Sequence, residues 1–184
     1  MKTLETSLPG VVLLELQAFS DARGFFLESY RSAAHAALGV DRTFVQDNFS
    51  HSRRGTLRGL HYKLRRPQGK LVHVTRGEVF DVAADIRVGS PAFGRWFGTV
   101  LSSDNHRQLW VPEGFAHGFI VLSETADVAY KVTAEYDPDD DRALAWNDPT
   151  LAIDWPAIGD APLLSRKDAA APLLQGNAHL PRYT

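Results

Sequence analysis

Along most of the chain, apolar and polar residues alternate with period two, the spacing of a strand whose side chains point to opposite faces. In VFDVAADIRV, Phe80, Val82, Ala84, Ile86 and Val88 share one face, while Asp81, Asp85 and Arg87 take the other. In ADVAYKVTAEY the positions Val128, Tyr130, Val132, Ala134 and Tyr136 fall together, opposite Lys131, Thr133 and Glu135. Turn signals separate such runs at Gly89-Ser90-Pro91, Ser102 to Asn105, Pro112-Glu113-Gly114 and Asp137-Pro138. Many short strands at this spacing predict a sandwich or barrel. Helix is scarce. Arg31 to Gly39 reads as a short Ala-rich helix stopped by glycine, and SRKDAAA as a second one closed by Pro172. The N-terminal MKTLETSLPGVVLLEL soon meets Glu15 and lacks a small-residue cleavage site, so it reads as a first strand rather than a secretory leader. With no repeat, low-complexity tract or linker, residues 1–184 are expected to form one all-β domain.

A chain of 184 residues can bury a substantial core, and 44% apolar with 23% charged residues is ordinary for a soluble protein. No apolar run approaches a membrane-spanning helix. The absence of cysteine excludes disulfides and thiolate metal ligands and fits a reducing cytoplasm. Charge is distributed unevenly. Between Arg53 and Arg76 lie eight Lys/Arg residues and no acid, although the formal net charge of the chain is −2. A nucleic-acid binder usually carries a net basic domain. Here the acids stand elsewhere in sequence, as at Asp137, Asp139, Asp140 and Asp141. A local basic patch on a balanced chain suits a compact anionic ligand better than a polyanion.

The segment PEGFAH, Pro112 to His117, has the Pro-x-Gly-x-x-His spacing of the second cupin motif, in which a turn delivers an imidazole into a small barrel. The first cupin motif normally supplies His-x-His and a carboxylate for a metal. The corresponding stretch here is His61-Tyr62-Lys63, followed by basic residues. A divalent ion takes neutral imidazoles and carboxylates, not an ammonium. The expectation is therefore a cupin, jelly-roll β-barrel with a few short helices and no metal. A barrel mouth lined by His, Tyr, Lys and Arg suits acid–base chemistry on an anionic substrate. Histidine accepts a proton near neutral pH, tyrosine can donate one, and a cation stabilises an oxyanion formed beside a carbonyl.

Ordered blocks along the chain carry a more specific likeness: LPGVVLLE, DARGFFLESY, FVQDNFSHSRRGTLRGLHY, QGKLVHVTRGEVFDVAADIRVGSPAFGRW, LWVPEGFAHGFIVLSE, AYKVTAEYDP, WNDPTLAIDWP and LLSRKD. In these blocks the chain resembles the dTDP-4-dehydrorhamnose 3,5-epimerases, a cupin family of dTDP-L-rhamnose synthesis. The resemblance implies a substrate, dTDP-4-dehydro-6-deoxy-D-glucose, inverted at C3 and C5 without a cofactor. It implies that His61 is the base acting beside the C4 ketone, with Asp168 orienting it as a dyad. Tyr130 would return a proton from the opposite face, and Lys70 would stabilise the enolate. Arg23, Glu28, Gln46, Asp47 and Asn48 would hold nucleotide and phosphates, partly across a homodimer interface. Arg58, His117 and Lys167 would contact diphosphate or sugar, and Tyr136 would stack on the thymine. Where the family usually has Glu, this chain has Asp141, one methylene shorter. The resemblance carries no expectation of nucleic-acid or membrane partners.

Plainer readings stand beside these roles. Ser165-x-x-Asp168 is a capping-box pattern, which alone accounts for the carboxylate. Tyr130 shares a face with Val128 and Val132 and could be a core tyrosine, and His117 could simply bond a turn carbonyl. His61 is harder to dismiss, because cations around an imidazole disfavour its charged form unless a carboxylate pairs with it. Close relatives that epimerise one carbon only, or shift the ketone, remain alternatives, as does a non-catalytic sugar-nucleotide-binding cupin.

Overall fold

A computed structural model describes residues 1–183. Among the described residues there are thirteen strands: β1 Lys2–Leu4, β2 Val12–Glu15, β3 Ala18–Asp21, β4 Gly24–Leu27, β5 Gln46–Arg53, β6 Leu57–Tyr62, β7 Lys70–Arg76, β8 Glu78–Asp85, β9 Trp96–Ser102, β10 Arg107–Val111, β11 Phe115–Val121, β12 Thr125–Val132 and β13 Arg142–Ala143. Two short helices join them, α1 Ser32–Ala36 and α2 Arg166–Ala169. A six-stranded sheet runs β1-β2-β10-β7-β12-β5 and a five-stranded sheet runs β13-β6-β11-β8-β9, with β3 and β4 forming a separate hairpin. The alternation predicts an all-β sandwich or barrel and the PEGFAH motif a cupin jelly roll, and the fold is that jelly roll. Among the described residues, no helix is long and apolar enough to cross a membrane.

The N-terminal run, expected as one strand, is two. Lys2 pairs with Glu15 and Leu4 with Leu13, so the chain reverses between them. Pro9, which lacks an N–H, and Gly10, with φ +89°, make that reversal possible. The pairing leaves β1 as one edge of the six-stranded sheet and β5 as the other.

Inside the barrel, Leu13, Val72, Val74, Val79, Ala83, Leu109, Phe119, Ala126 and Val128 pack into one apolar cluster. On the other side of β8, Val82, Ala84 and Ile86 pack with Phe80 against Leu144, Leu151, Trp155 and Leu174 from the C-terminal segment. Both faces of β8 are thus covered. The residues that share its apolar face point outward under that segment, whereas Asp81 stands between Val79 and Ala83 on the inner face and is wholly buried. Inner-face positions change character along each strand. Ala126 and Val128 give way to Tyr130 on β12, and Val74 and Val72 give way to Lys70 on β7. One end of the barrel is therefore a dry core and the other is polar.

Candidate active site

The polar end encloses a cavity of about 200 Å³ lined by Gln46, Asn48, His61, Tyr62, Lys63, Gln68, Lys70, Tyr130, Tyr136 and Asp141. Strand pairing explains how residues so far apart in sequence meet there. Tyr130 lies opposite Asn48 on one side and Val72 on the other, while Val132 lies between Gln46 and Lys70. His61 pairs with His117 across β6 and β11. These two strands approach closely because Gly59 faces Gly118: a methyl group on Gly59 would lie 2.6 Å from the Gly118 Cα.

His61 Nε2 lies 2.6 Å from Asp168 Oδ1, and Ser165 Oγ donates to Asp168 Oδ2 at 2.8 Å. Ser165 also caps α2 by accepting from the Asp168 N–H at 3.1 Å. The dyad and the cap, which the spacing alone sets against each other, coexist in one carboxylate. Burial alone would raise the Asp168 pKa, but the bonds from His61 and Ser165 hold it below the usual carboxylate range.

Lys70 is buried, with Nζ 3.4 Å from the His61 carbonyl oxygen. Burial and then the neighbouring Lys63 ammonium lower its pKa to about 8, against the opposing pull of Asp81 and Asp141. Burial raises the Tyr130 pKa, so its hydroxyl keeps its proton at neutral pH. His117 is buried with Nε2 3.0 Å from both oxygens of Asp81. Burial lowers its pKa despite the opposing pull of Asp81. Its partner is thus a barrel carboxylate rather than a turn carbonyl. Among the described residues, no three His, Cys, Asp or Glu side chains converge to hold a metal ion.

The remaining expected residues divide. Arg58 Nε donates to Ser52 Oγ at 3.0 Å, and Asp141 binds both Lys63 and Lys167. Asp47 sits on the opposite face of β5 from Gln46 and Asn48 and binds Lys131 at 2.9 Å, outside the cavity lining. Arg23 pairs with Asp21, and Glu28 with Arg31; neither lines the cavity within this chain.

The acids that stand elsewhere in sequence fold back onto the basic stretch. Asp140 is fully buried and accepts from the backbone N–H groups of Leu64, Arg65 and Arg66 at 3.1, 2.8 and 2.9 Å. Asp137 binds Arg65, and Asp141 binds Lys63. Lys63 and Arg65 of the stretch are thereby paired with acids of a second segment. Lys63 and Gln68 also line the cavity and Asp81 pairs with His117, although the sequence pattern does not mark Gln68 or Asp81 for that place. For Lys63 a signal exists: it stands where a cupin metal ligand would.

Comparisons with known proteins establish the family. Residues 5–176 match the dTDP-4-dehydrorhamnose 3,5-epimerase family. The chain belongs to that family. A dTDP-4-dehydrorhamnose 3,5-epimerase of Pseudomonas aeruginosa is 57% identical over 91% of this chain and 93% of its own length. The dTDP-6-deoxy-D-glucose-3,5-epimerase of Legionella pneumophila, solved with dTDP-4-keto-L-rhamnose, superposes with a TM-score of 0.95 at 52% identity, covering 100% of this chain and 98% of that one. A 3'-monoepimerase of Streptomyces bikiniensis in complex with dTDP-quinovose superposes with a TM-score of 0.88 at 34% identity, covering 100% and 93%. The family is one of isomerases acting on nucleotide sugars, and its members carry the cupin jelly roll.

Proposed function

We propose that this protein converts dTDP-4-dehydro-6-deoxy-D-glucose to dTDP-4-dehydro-L-rhamnose by inverting C3 and C5. The observation that carries it is a carboxylate-held imidazole, a buried ammonium and a protonated phenol on one small cavity. His61 removes a proton from the carbon beside the C4 ketone, and the electron pair moves to the ketone oxygen as an enolate. The Lys70 ammonium stabilises that oxyanion, and Asp168 stabilises the imidazolium. Tyr130 then protonates the same carbon from the opposite face, which inverts it. The ketone itself acidifies C3 and C5, so these proton transfers need no organic cofactor. Gln46, Asn48, Arg58, His117 and Lys167 surround the rest of the nucleotide sugar, and Tyr136 at the cavity mouth stacks on the base.

We further propose that the working unit is a homodimer of a single-domain chain. The β3–β4 hairpin holds Phe19, Phe25 and Phe26 at 58%, 59% and 70% exposure, an unusual apolar surface for a free monomer. Arg23 and Glu28 lie on or beside this hairpin, away from their own chain's cavity. A second copy would cover the phenylalanines and bring these two residues to its neighbour's site. Mixing His61→Ala with Arg23→Ala protein should restore activity if they belong to different chains of one site. Monomeric mass in solution would overturn the dimer. We also propose a cytoplasmic location, which a nucleotide-sugar substrate and a cysteine-free chain fit.

Proton NMR of the protein with dTDP-4-dehydro-6-deoxyglucose in deuterated water tests the function. Deuterium entering both C3 and C5, and lost in His61→Ala, is expected. Exchange at C3 alone would make it a mono-epimerase, and no exchange at either would leave a binding module.

A further inference from the structure

Lys63 is a buried cation that the proposed chemistry does not use. It follows β6 directly, is 8% exposed, and lines the cavity two residues beyond His61. Two hydrogen bonds and one aromatic face surround its ammonium. Nζ donates to the Asp137 carbonyl at 3.2 Å and to Asp141 Oδ1 at 3.1 Å, and it lies 4.5 Å from the centroid of the Tyr136 ring. Beside Lys63, the side chain of Tyr136 meets the Asp141 carboxylate, which raises the pKa of its hydroxyl. Its backbone N–H binds Gln46 Oε1 at 2.9 Å, but 57% of the residue is exposed at the mouth. An exposed aromatic ring with a desolvated ammonium against it is attracted electrostatically and loses orientational freedom. That ordering precedes any ligand, so binding does not have to supply it.

We propose that Lys63 is a positioning residue for the nucleoside end of the site, locking the Tyr136 ring and the Asp141 carboxylate into one preformed platform for a pyrimidine base. The proposal rests on the stacking role of Tyr136 in the proposed function. Lys167 is the second cation on Asp141, so the carboxylate keeps a partner when Lys63 is replaced, whereas the ring loses the ammonium on its face and keeps only the Asp141 carboxylate beside its hydroxyl. The short Asp141 side chain, which departs from the family's usual glutamate, is thus held from both sides. Loss of Lys63 should therefore act on base recognition and leave diphosphate recognition in place.

The test is calorimetric titration of the full chain with dTDP and, separately, with inorganic pyrophosphate. Lys63→Met is expected to weaken dTDP about tenfold while pyrophosphate binding changes by less than about twofold. Lys63→Arg, which keeps a cation at the ring, should recover most of the loss. Combining Lys63→Met with Tyr136→Ala should weaken dTDP no further than Tyr136→Ala alone, since both remove one platform. Lys63→Gln replaces the methionine variant if burial of the apolar chain beside Asp141 compromises folding. Wild-type dTDP affinity in both Lys63 variants, with a clear loss in Tyr136→Ala, would overturn the role of Lys63 alone. Full dTDP affinity in Tyr136→Ala would overturn the stacking reading and the inference with it. Equal losses for dTDP and pyrophosphate would show a general electrostatic effect and also overturn the platform.

Discussion

His61 and Asp168, 107 residues apart in sequence, meet at 2.6 Å because α2 lays its first turn against the end of β6. The carboxylate is anchored from behind by Ser165, so the imidazole is oriented by a group that cannot itself swing away. Replacing His61 by Ala is expected to cost roughly 10³-fold or more in kcat, and Asp168→Asn roughly 10²-fold, within the range for a positioned general base. Ser165→Ala should have a smaller effect on rate together with about 1 kcal/mol of lost stability, because it removes both the cap and the brace. Steady-state kinetics beside thermal unfolding separate the two. Unchanged kcat in Asp168→Asn would remove the dyad from the mechanism.

In the proposed reaction a change at Tyr130 would separate deprotonation from reprotonation. Its phenyl ring continues the inner face of Ala126 and Val128, so Tyr130→Phe preserves packing and removes only the hydroxyl. Solvent deuterium should still enter the substrate through His61, while formation of the inverted product falls by roughly 10²-fold or more. Tracking exchange and product by NMR in one sample checks this. Product formation at the normal rate in Tyr130→Phe would assign the acid to another group.

Lys70 gives a pH signature with opposite signs for activity and stability. Its pKa is lowered to about 8, chiefly by burial. An ammonium needed to stabilise an oxyanion is lost above that value, so kcat/KM should fall as pH rises through about 8. The unfolded chain would titrate this lysine near the ordinary 10.5. Between the two values the unfolded state binds more protons, so the Lys70 contribution to stability rises with pH across that window. Activity lost at pH 9 is therefore expected without unfolding. Lys70→Met should lower kcat by roughly 10²-fold and remove the alkaline limb. A profile that keeps the same limb in Lys70→Met would assign it elsewhere.

The alternation of side chains made the strands and the barrel class legible, and the motif blocks made most of the cavity residues legible. The limits have a physical cause. Period two places Asp81 opposite Val82, but cannot tell which face is inside when both are buried. The Ser165-x-x-Asp168 spacing indicated a cap because that interaction is local, while the bond to His61 depends on how two distant segments pack. The partnership of Lys63 with Asp141 spans 78 residues and leaves no local trace. Arg23, Glu28 and Asp47 fall outside the cavity of their own chain, a separation that sequence blocks cannot register.

Asp140 offers a stability prediction that is independent of the chemistry. Its carboxylate is buried and accepts three successive backbone N–H groups from the loop that follows β6, with Arg65 and Arg142 nearby. Burial raises its pKa, but the three N–H bonds and Arg65 outweigh that and hold it below the usual range. Asp140→Ala leaves those donors without their buried acceptor, a cost of about 3 kcal/mol. For a chain of this size that corresponds to a fall in Tm of roughly 6–12 °C. Asp140→Asn keeps one acceptor oxygen but presents an NH2 to backbone donors, so it should recover only part of the loss. The same loop carries Lys63 and leads to Gln68 and Lys70, so loosening it should also raise KM for the nucleotide sugar. Calorimetric melting of both variants decides the matter: a Tm within about 2 °C of the wild type would mean that water satisfies the loop and that Asp140 is not its anchor.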